Sequence, residues 1–127
     1  MKKYFPVIFT KEEVGFSTSA VDLEGCFSEG DTFEEAYQNT KDAIGLFLED
    51  TATPETTDMS GIIPTLESGQ FVCVVEFDET EYLKKNRSKS IKKTLTIPEW
   101  LNDEAEKQHV NFSGILQEAL ITKLNIN

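Results

Sequence analysis

The stretch VDLEGCFSEGDTFEEAYQNTKDAIGLFLED, residues 21–50, ends in the clearest helical pattern of the sequence. Thr32 followed three residues later by Glu35 is a capping box, which marks a helix start. Mostly apolar side chains then recur at helical spacing and form one stripe: Phe33, Ala36, Tyr37, Thr40, Ala43, Ile44, Phe47 and Leu48. A single apolar stripe predicts that this helix packs on a sheet.

Three short strands are predicted on the amino-terminal side of the helix. They are YFPVIF at 4–9, VGFSTSAV at 14–21 and CFSE at 26–29. The TKEE connection has hairpin length, so the first two strands should be antiparallel neighbours. Pro6 has no N–H to donate to a ladder, which predicts a sheet edge or a strand end at that position.

A loop and a fourth strand are predicted after the helix. Residues 51–69 are polar with interspersed Pro and Gly, and this composition is typical of a loop. FVCVVEF, residues 71–77, is apolar on both faces, which indicates a strand that is either covered on both sides or lies at an interface. The element order β-β-β-α-β predicts an α+β layer, and the apolar strand suggests a role in assembling a dimer of dimers.

The net charge of −11 hides two segments of opposite sign. Residues 1–83 hold 4 basic and 18 acidic side chains, a net charge of −14, and residues 84–127 hold 8 basic and 5 acidic ones, a net charge of +3. This asymmetry indicates an acidic surface for one partner and a mildly basic surface for another. The sign changes within residues 81–90, which we interpret as a linker that contains a short helix around Tyr82.

The segment KKTLTIP, residues 92–98, alternates like a strand. Leu95 and Ile97 point to one side, and the opposite side carries donors and small acceptors from Lys92, Thr94 and Thr96. An open ribbon of two such strands fits the DNA major groove, where Lys and Thr can contact base edges.

Two helical patterns follow this strand, over about 99–108 and 113–124. One strand and two short helices cannot bury enough surface to fold alone. Pairing two copies solves the problem, since four helices then cover the apolar face of a two-stranded ribbon. We therefore expect residues 91–127 to form a homodimer.

The strand-helix-helix order, with Pro98 opening the first helix, NFSG leading into the second and ILQEAL within it, resembles the ribbon-helix-helix family of DNA-binding dimers. The resemblance implies double-stranded operator DNA as a partner. By position, the base-reading residues would be Lys92, Thr94 and Thr96, and the backbone amides that clamp a phosphate would be those of Phe112, Ser113 and Gly114. Because no Arg is present among the readers, operator affinity should depend on two dimers binding side by side.

Residues 21–50 also resemble the amino-terminal domain of HicB-type antitoxins. That pattern has a turn ending in Gly-Cys, a Gly-Asp-Thr helix start, and Glu-Ala and Asn-Ala pairs. The matching residues are Asp22, Leu23, Gly25, Cys26, Gly30, Asp31, Thr32, Glu35, Ala36 and Asn39. Val21 and Glu24 replace two prolines of the pattern, and Thr40 replaces an alanine.

The resemblance implies a partial RNase H-like domain over 1–80, the linker over 81–90 and the ribbon-helix-helix domain over 91–127. It implies an antitoxin that neutralises a HicA-type, mRNA-cleaving toxin by steric occlusion and represses its own operon. The acidic segment has the right charge for such a basic partner. The candidate toxin contacts are Phe16, Asp22, Glu24, Phe27, Glu29, Asp31, Glu34 and Glu35.

Other function classes find little support in the sequence. There is no run of 18 apolar residues and no signal-peptide pattern, so we expect a cytoplasmic protein without a membrane span. Cys26 and Cys73 lack metal-ligand spacing and should be reduced, packed thiols. His109 is the only histidine, which excludes a His-rich metal site, and we expect neither a metal nor a cofactor.

An RNase H-type enzyme would need three or four converging carboxylates around two metal ions. Asp22 and Glu24 could share a face, but the strand at 71–77 has no acid before Glu76, so we expect no catalytic residues and no enzyme. The alternative is a ribbon-helix-helix repressor whose acidic domain senses a small ligand. A gene for a small basic protein beside this one would favour the antitoxin.

Overall fold

The computed structural model describes residues 2–126. The chain forms two compact units, with the division between Ser88 and Lys89. The first unit contains a four-stranded sheet with helices, and the second contains two helices. In chain order the elements are β1 (Lys2–Lys11), β2 (Phe16–Ala20), β3 (Phe27–Gly30), α1 (Phe33–Glu49), α2 (Met59–Ile62), a 3-10 turn (Ile63–Thr65), β4 (Gln70–Asp78), α3 (Glu79–Asn86), α4 (Glu99–Lys107) and α5 (Phe112–Leu124).

The sheet is antiparallel throughout, with strand order β3-β2-β1-β4. Helix α1 packs on one face, as its apolar stripe predicts. The core between the helix and the sheet is formed by Phe5, Val7, Phe9, Ala20, Leu23, Cys26, Ala36, Ile44, Val75 and Phe77. Alternate residues of β1 and β4 enter this core because side chains of a strand alternate between the two faces.

The prediction of an edge strand or strand end from Pro6 is wrong, because β1 is an inner strand that pairs with both β2 and β4. The Pro6 carbonyl accepts a hydrogen bond from the Val21 amide at 3.1 Å, just beyond the end of β2. The backbone groups of Pro6 therefore face the β2 side, where that strand has ended. The missing N–H costs the β1–β4 ladder nothing.

The first alternative for FVCVVEF, an inner strand covered on both sides, is also wrong, since β4 lies at an edge of the sheet and one of its faces is open. Val75 and Phe77 are buried against α1. Phe71 on the same face stacks on Phe9 with ring centroids 5.3 Å apart, whereas Val74 on the opposite face is 42% exposed. The residues of the run on one face pack against α1, and those on the opposite face are mainly apolar although that face is open. The alternative that remains for this strand is an interface.

The connection predicted as loop, 51–69, contains the short helix α2 and the 3-10 turn. Side chains of the sheet region fix its first half. Lys3 Nζ donates to Thr53 Oγ1 at 2.7 Å, and the carboxylate of Asp22 accepts hydrogen bonds from both the amide, at 2.9 Å, and the hydroxyl of Thr57.

Helix α1 begins as the capping box predicts, because Thr32 Oγ1 accepts from the Glu35 amide at 3.1 Å. A buried polar pair joins the helix to the sheet. Thr40 Oγ1 donates to the Ala36 carbonyl at 2.6 Å and lies 2.7 Å from Thr18 Oγ1. Since the Thr40 proton is used within the helix, the Thr18 hydroxyl donates to Thr40 and both groups are satisfied.

Helix α3 covers most of the segment interpreted as a linker and packs on the first unit. Asp78 caps it by accepting from the amide of Thr80 at 3.0 Å, and Lys85 Nζ lies 3.1 Å from Asp42 Oδ2. With the division after Ser88, residues 1–88 carry 7 basic and 18 acidic side chains, a net charge of −11, and residues 89–127 carry 5 of each. The predicted excess of positive charge thus lies at the junction and does not extend over the whole second unit.

The second unit has helices where the sequence predicts them, but no strand precedes them in the single chain. Residues 88–98 form no regular element, since a strand needs a hydrogen-bonded neighbour and this unit offers none. No residue from Lys89 to Ile126 is buried. The large apolar side chains that remain exposed here are Ile91, Leu95, Ile97, Trp100, Leu101, Phe112, Ile115, Leu120, Ile121, Leu124 and Ile126.

Candidate functional surfaces

One acidic surface surrounds the short edge strand β3 and the first turn of α1. We call it the β3 surface; its members are Glu24, Phe27, Glu29, Asp31, Glu34 and Glu35. Phe27 is 67% exposed and the five acids are all exposed. Phe27 and Glu29 lie on the sheet face away from α1, since the alternate residues Ser28 and Gly30 face the helix. An exposed aromatic side chain with nearby carboxylates along the chain has a composition suited to a basic partner.

The geometry of the β3 surface depends on a close contact between strand and helix. A Cβ on Gly30 would lie 2.3 Å from the backbone nitrogen of Ala36, so only glycine lets α1 approach the strand this closely. Asn39 Nδ2 also donates to the Glu29 carbonyl at 2.8 Å. These two contacts hold the backbone of β3 against the first turns of α1.

Two predicted toxin contacts have structural partners away from the β3 surface. The ring of Phe16 is only half-buried, lies edge-on to Phe33 and Phe71 with centroids 6.2 and 6.0 Å apart, and has Lys11 Nζ 4.9 Å from its centroid. Asp22 is occupied by Thr57. The structure therefore gives both residues packing and positioning contacts, and sequence reasoning missed the roles of Asn39 and Thr57.

The candidate DNA-binding residues are exposed in the single chain. Lys92, Thr94 and Thr96 are exposed, and Leu95 and Ile97 on the opposite side of the predicted strand are 56% and 48% exposed. Residues 84–93 contain six basic side chains and no acidic one: Lys84, Lys85, Arg87, Lys89, Lys92 and Lys93. A dense run of this kind favours contact with a polyanion.

The start of α5, predicted as the phosphate clamp, has a cap of its own. The side chain of Asn111 accepts from the Gly114 amide at 3.1 Å. A Cβ on Gly114 would lie 2.8 Å from Asn111 Nδ2, so this glycine accommodates the cap. Of the three predicted clamp amides, those of Phe112 and Ser113 remain available in this structure.

Both thiols are free, as expected, with Cys26 buried and Cys73 half-buried. Burial raises the pKa of each thiol above its ordinary value, because the thiolate loses hydration. Both are therefore weak nucleophiles at neutral pH.

Residues 2–126 hold neither a membrane-spanning helix nor a cluster of metal ligands. None of the helices there is long and apolar enough to span a membrane. That part of the chain also holds no group of three or more His, Cys, Asp or Glu side chains placed to bind a metal ion.

Known proteins resemble this chain over most of its length. An uncharacterized 14.9 kDa protein of Haemophilus phage HP1 is 33% identical over 100 residues, which are 74% of this chain and 72% of the phage protein. A toxin-antitoxin complex from Streptococcus pneumoniae contains a chain with a TM-score of 0.56 and 24% identity, covering 97% of this chain and 99% of that one. The structure described as "HicA3 and HicB3 toxin-antitoxin complex" contains a chain with a TM-score of 0.51 and 28% identity, covering 60% of this chain and 99% of that one.

The family described as "HicB_like antitoxin of bacterial toxin-antitoxin system" matches residues 4–120, which include elements of both units. The fold similarity agrees with this match, since the mixed α+β architecture is the one found in the solved HicB structures. This chain belongs to the HicB-like antitoxin family of bacterial toxin–antitoxin systems.

Proposed function

We propose that this protein neutralises a HicA-type toxin through the β3 surface and represses its own operon through residues 91–127. The observation that carries the proposal is that the two units of the chain expose surfaces of different chemical character. The first unit exposes Phe27 and five acids around β3 and the start of α1, and in the second an exposed basic segment precedes two helices whose apolar side chains lack a core.

Charge and shape support neutralisation by occlusion. Seven basic and 18 acidic side chains give residues 1–88 a net charge of −11, which accelerates association with a basic RNA-cleaving toxin. Phe27 would fill an apolar pocket at the centre of the interface, where buried aromatic residues contribute most of the binding energy. The bound antitoxin would then exclude RNA from the basic face of the toxin.

Co-expression with the small basic protein encoded beside this gene tests the toxin half of the proposal. We expect relief of growth arrest and a stable purified complex. Phe27→Ser and Glu29→Lys should each weaken the complex at least tenfold, whereas Glu55→Lys, a charge reversal on the exposed 51–69 connection, should not. No complex with the neighbouring protein, or equal weakening by all three substitutions, would exclude the β3 surface.

The second unit needs a homodimer before it can bind DNA. Since no residue of 89–126 is buried in the single chain, its apolar side chains lack a core. In an antiparallel ribbon of two chains, Leu95 and Ile97 would face the four helices, and Lys92, Thr94 and Thr96 would face the major groove. The amides of Phe112 and Ser113 would contact a phosphate beside the groove.

Ligand sensing by the first unit is not favoured. A cavity of about 200 Å³ lies between the end of α1, β4 and α3, with Lys3, Glu49 and Tyr82 in its lining. This volume is below the roughly 300–1,000 Å³ of small-molecule sites. The family match instead favours a protein partner.

A further inference from the structure

The free edge of β4 carries two backbone amides without partners. Lys11 donates to the Gly69 carbonyl, so odd-numbered residues of β4 face β1 in the antiparallel ladder. The backbone groups of the even-numbered residues therefore point away from the sheet. Among the residues described, the amides of Val72 and Val74 have no hydrogen-bond acceptor, and the Val74 carbonyl accepts a weak hydrogen bond from Cys73 Sγ at 3.7 Å.

Contacts within the chain close both ends of this edge. At one end the Gln70 amide donates to the Glu67 carbonyl at 3.1 Å, and at the other the Glu76 amide donates to the Tyr37 hydroxyl at 3.2 Å. Only the stretch around Val72 and Val74 is left open to an added strand.

The opposite edge of the sheet is protected by comparison. Strand β3 has four residues, presents the charge of Glu29, and has the Glu29 carbonyl occupied by Asn39. Proteins commonly protect sheet edges with short strands and charges of this kind. Strand β4 has nine residues and no charged side chain from Gln70 to Val75, so it lacks such protection.

We propose that β4 pairs antiparallel with β4 of a second copy of this chain, with the two-fold axis at Cys73, forming one continuous eight-stranded sheet. Val72 and Val74 lie symmetrically about Cys73. In this register each amide of the pair donates to the partner's carbonyl at the other position, which gives four hydrogen bonds. A strand shifted by one residue would not oppose these donors and acceptors in this way.

The chemistry of the edge favours a second copy over a basic partner. The stretch from Gln70 to Val75 is uncharged, so a cationic strand would find no complementary charge there. Two copies of an acidic unit repel each other, and an uncharged strip is where they approach at least cost. Val72 and Val74 would also form apolar cross-strand pairs on the exposed face of the sheet, beside Tyr4, which is 52% exposed.

Oxidative cross-linking of Cys73 tests the proposed register of the two β4 strands. Residues at such an axis form a non-hydrogen-bonded pair with Cα atoms about 4.5 Å apart, which lies within the range that a disulfide can bridge. Diamide treatment of the full chain at mildly alkaline pH should couple two Cys73 thiols, with diamide accepting the two electrons and two protons. We expect a covalent dimer that Cys73→Ser abolishes and Cys26→Ser preserves.

Mass in solution tests the pairing independently of the thiols. Val74→Lys places a charge on the proposed interface and should halve the mass of the assembly measured by light scattering. Ser28→Lys on the other edge strand should leave it unchanged. Because Val74 is 42% exposed, its substitution should not unfold the chain, and circular dichroism checks this.

Failure of β4 pairing can be distinguished from failure of the proposed toxin and DNA binding. Leu95→Asp removes pairing of the second units, and in that background Val74→Lys should still halve the mass, so the test does not require pairing of the second units. Equal masses for wild type and Val74→Lys, or a mass reduced only by Ser28→Lys, would overturn the proposal. Loss of toxin binding by Val74→Lys without a change in mass would assign the edge to the toxin instead.

Discussion

The ring of Tyr82 on α3 lies over Gly45 of α1 so closely that a Cβ at position 45 would be 2.2 Å from two ring carbons. Tyr82 also packs against Phe77, with ring centroids 5.8 Å apart. Gly45 is therefore the position where helix α3 docks on α1. This contact ties the segment before residue 89 to the first unit.

Gly45→Ala should lower the free energy of unfolding. In an exposed helix this change stabilises by about 1 kcal/mol, but here the methyl group overlaps the Tyr82 ring and the overpacking costs about 1–3 kcal/mol. Urea denaturation of Gly45→Ala with and without Tyr82→Ala measures the coupling. We expect the alanine to become neutral or stabilising once the ring is removed; an equal loss in both backgrounds would contradict the contact.

The buried threonine pair should respond asymmetrically. Thr40→Val leaves the Thr18 hydroxyl buried without an acceptor, which costs about 1–3 kcal/mol. Thr18→Val should cost less, because the Thr40 hydroxyl keeps the Ala36 carbonyl. The double variant should be close to Thr18→Val alone in thermal unfolding, and strict additivity would refute this hydrogen-bond order.

Operator binding should separate base contacts from phosphate attraction. On DNA from upstream of the gene, Thr94→Ala and Thr96→Ala should each cost about 1–3 kcal/mol and relax sequence preference. Lys92→Ala should in addition reduce the slope of log affinity against log salt by about one. Thr56→Ala, an exposed threonine of the first unit, serves as the control. Unchanged affinity in all three strand variants would rule out the ribbon as the DNA-binding element.

Ribbon pairing should require the apolar side of the strand. Leu95→Asp should prevent pairing of the second units, reduce the helix content of α4 and α5, and abolish DNA binding, because a buried unpaired charge is costly. Thr94→Asp, one position away on the other side, should weaken DNA binding and preserve the dimer. Circular dichroism and light scattering distinguish the two, and identical behaviour would contradict the alternation.

Thiol reactivity should follow burial and pH. Because the pKa of both thiols is raised, iodoacetamide should label the folded chain more slowly than the unfolded chain at neutral pH. Labelling should accelerate as the pH rises and thiolate forms. Mass spectrometry should find Cys73 modified before Cys26, which is only 5% exposed; the reverse order would contradict the described packing.

The sequence allowed prediction of features that depend on local pattern. Helix α1, its Thr32 cap and its packing on the sheet follow from spacing, and the long matched stretch around it predicted the family. The prediction from Pro6 was wrong because a proline removes a ladder hydrogen bond only if its nitrogen faces a paired strand. At Pro6 the nitrogen faces the β2 side, where β2 has already ended.

Strand order could not be read from the sequence for a similar reason. FVCVVEF is equally apolar in an inner strand and in an edge strand with one open face. Helix α3 was only partly anticipated, because its docking depends on the absence of a side chain at Gly45, a feature that leaves no periodic signal. The occupancy of Asp22 by Thr57 joins residues far apart in the chain, and no local motif marks it.

The absence of any buried residue between Lys89 and Ile126 has a consequence for turnover. If the second unit folds only by pairing, as proposed above, the chain is degraded at a rate that depends on its own concentration, since proteases cleave the unpaired, open form. When synthesis stops and the pool is diluted, the unpaired fraction grows and each remaining copy is lost faster. Antitoxin abundance would then fall more steeply than a simple exponential decay, which would make the release of toxin abrupt.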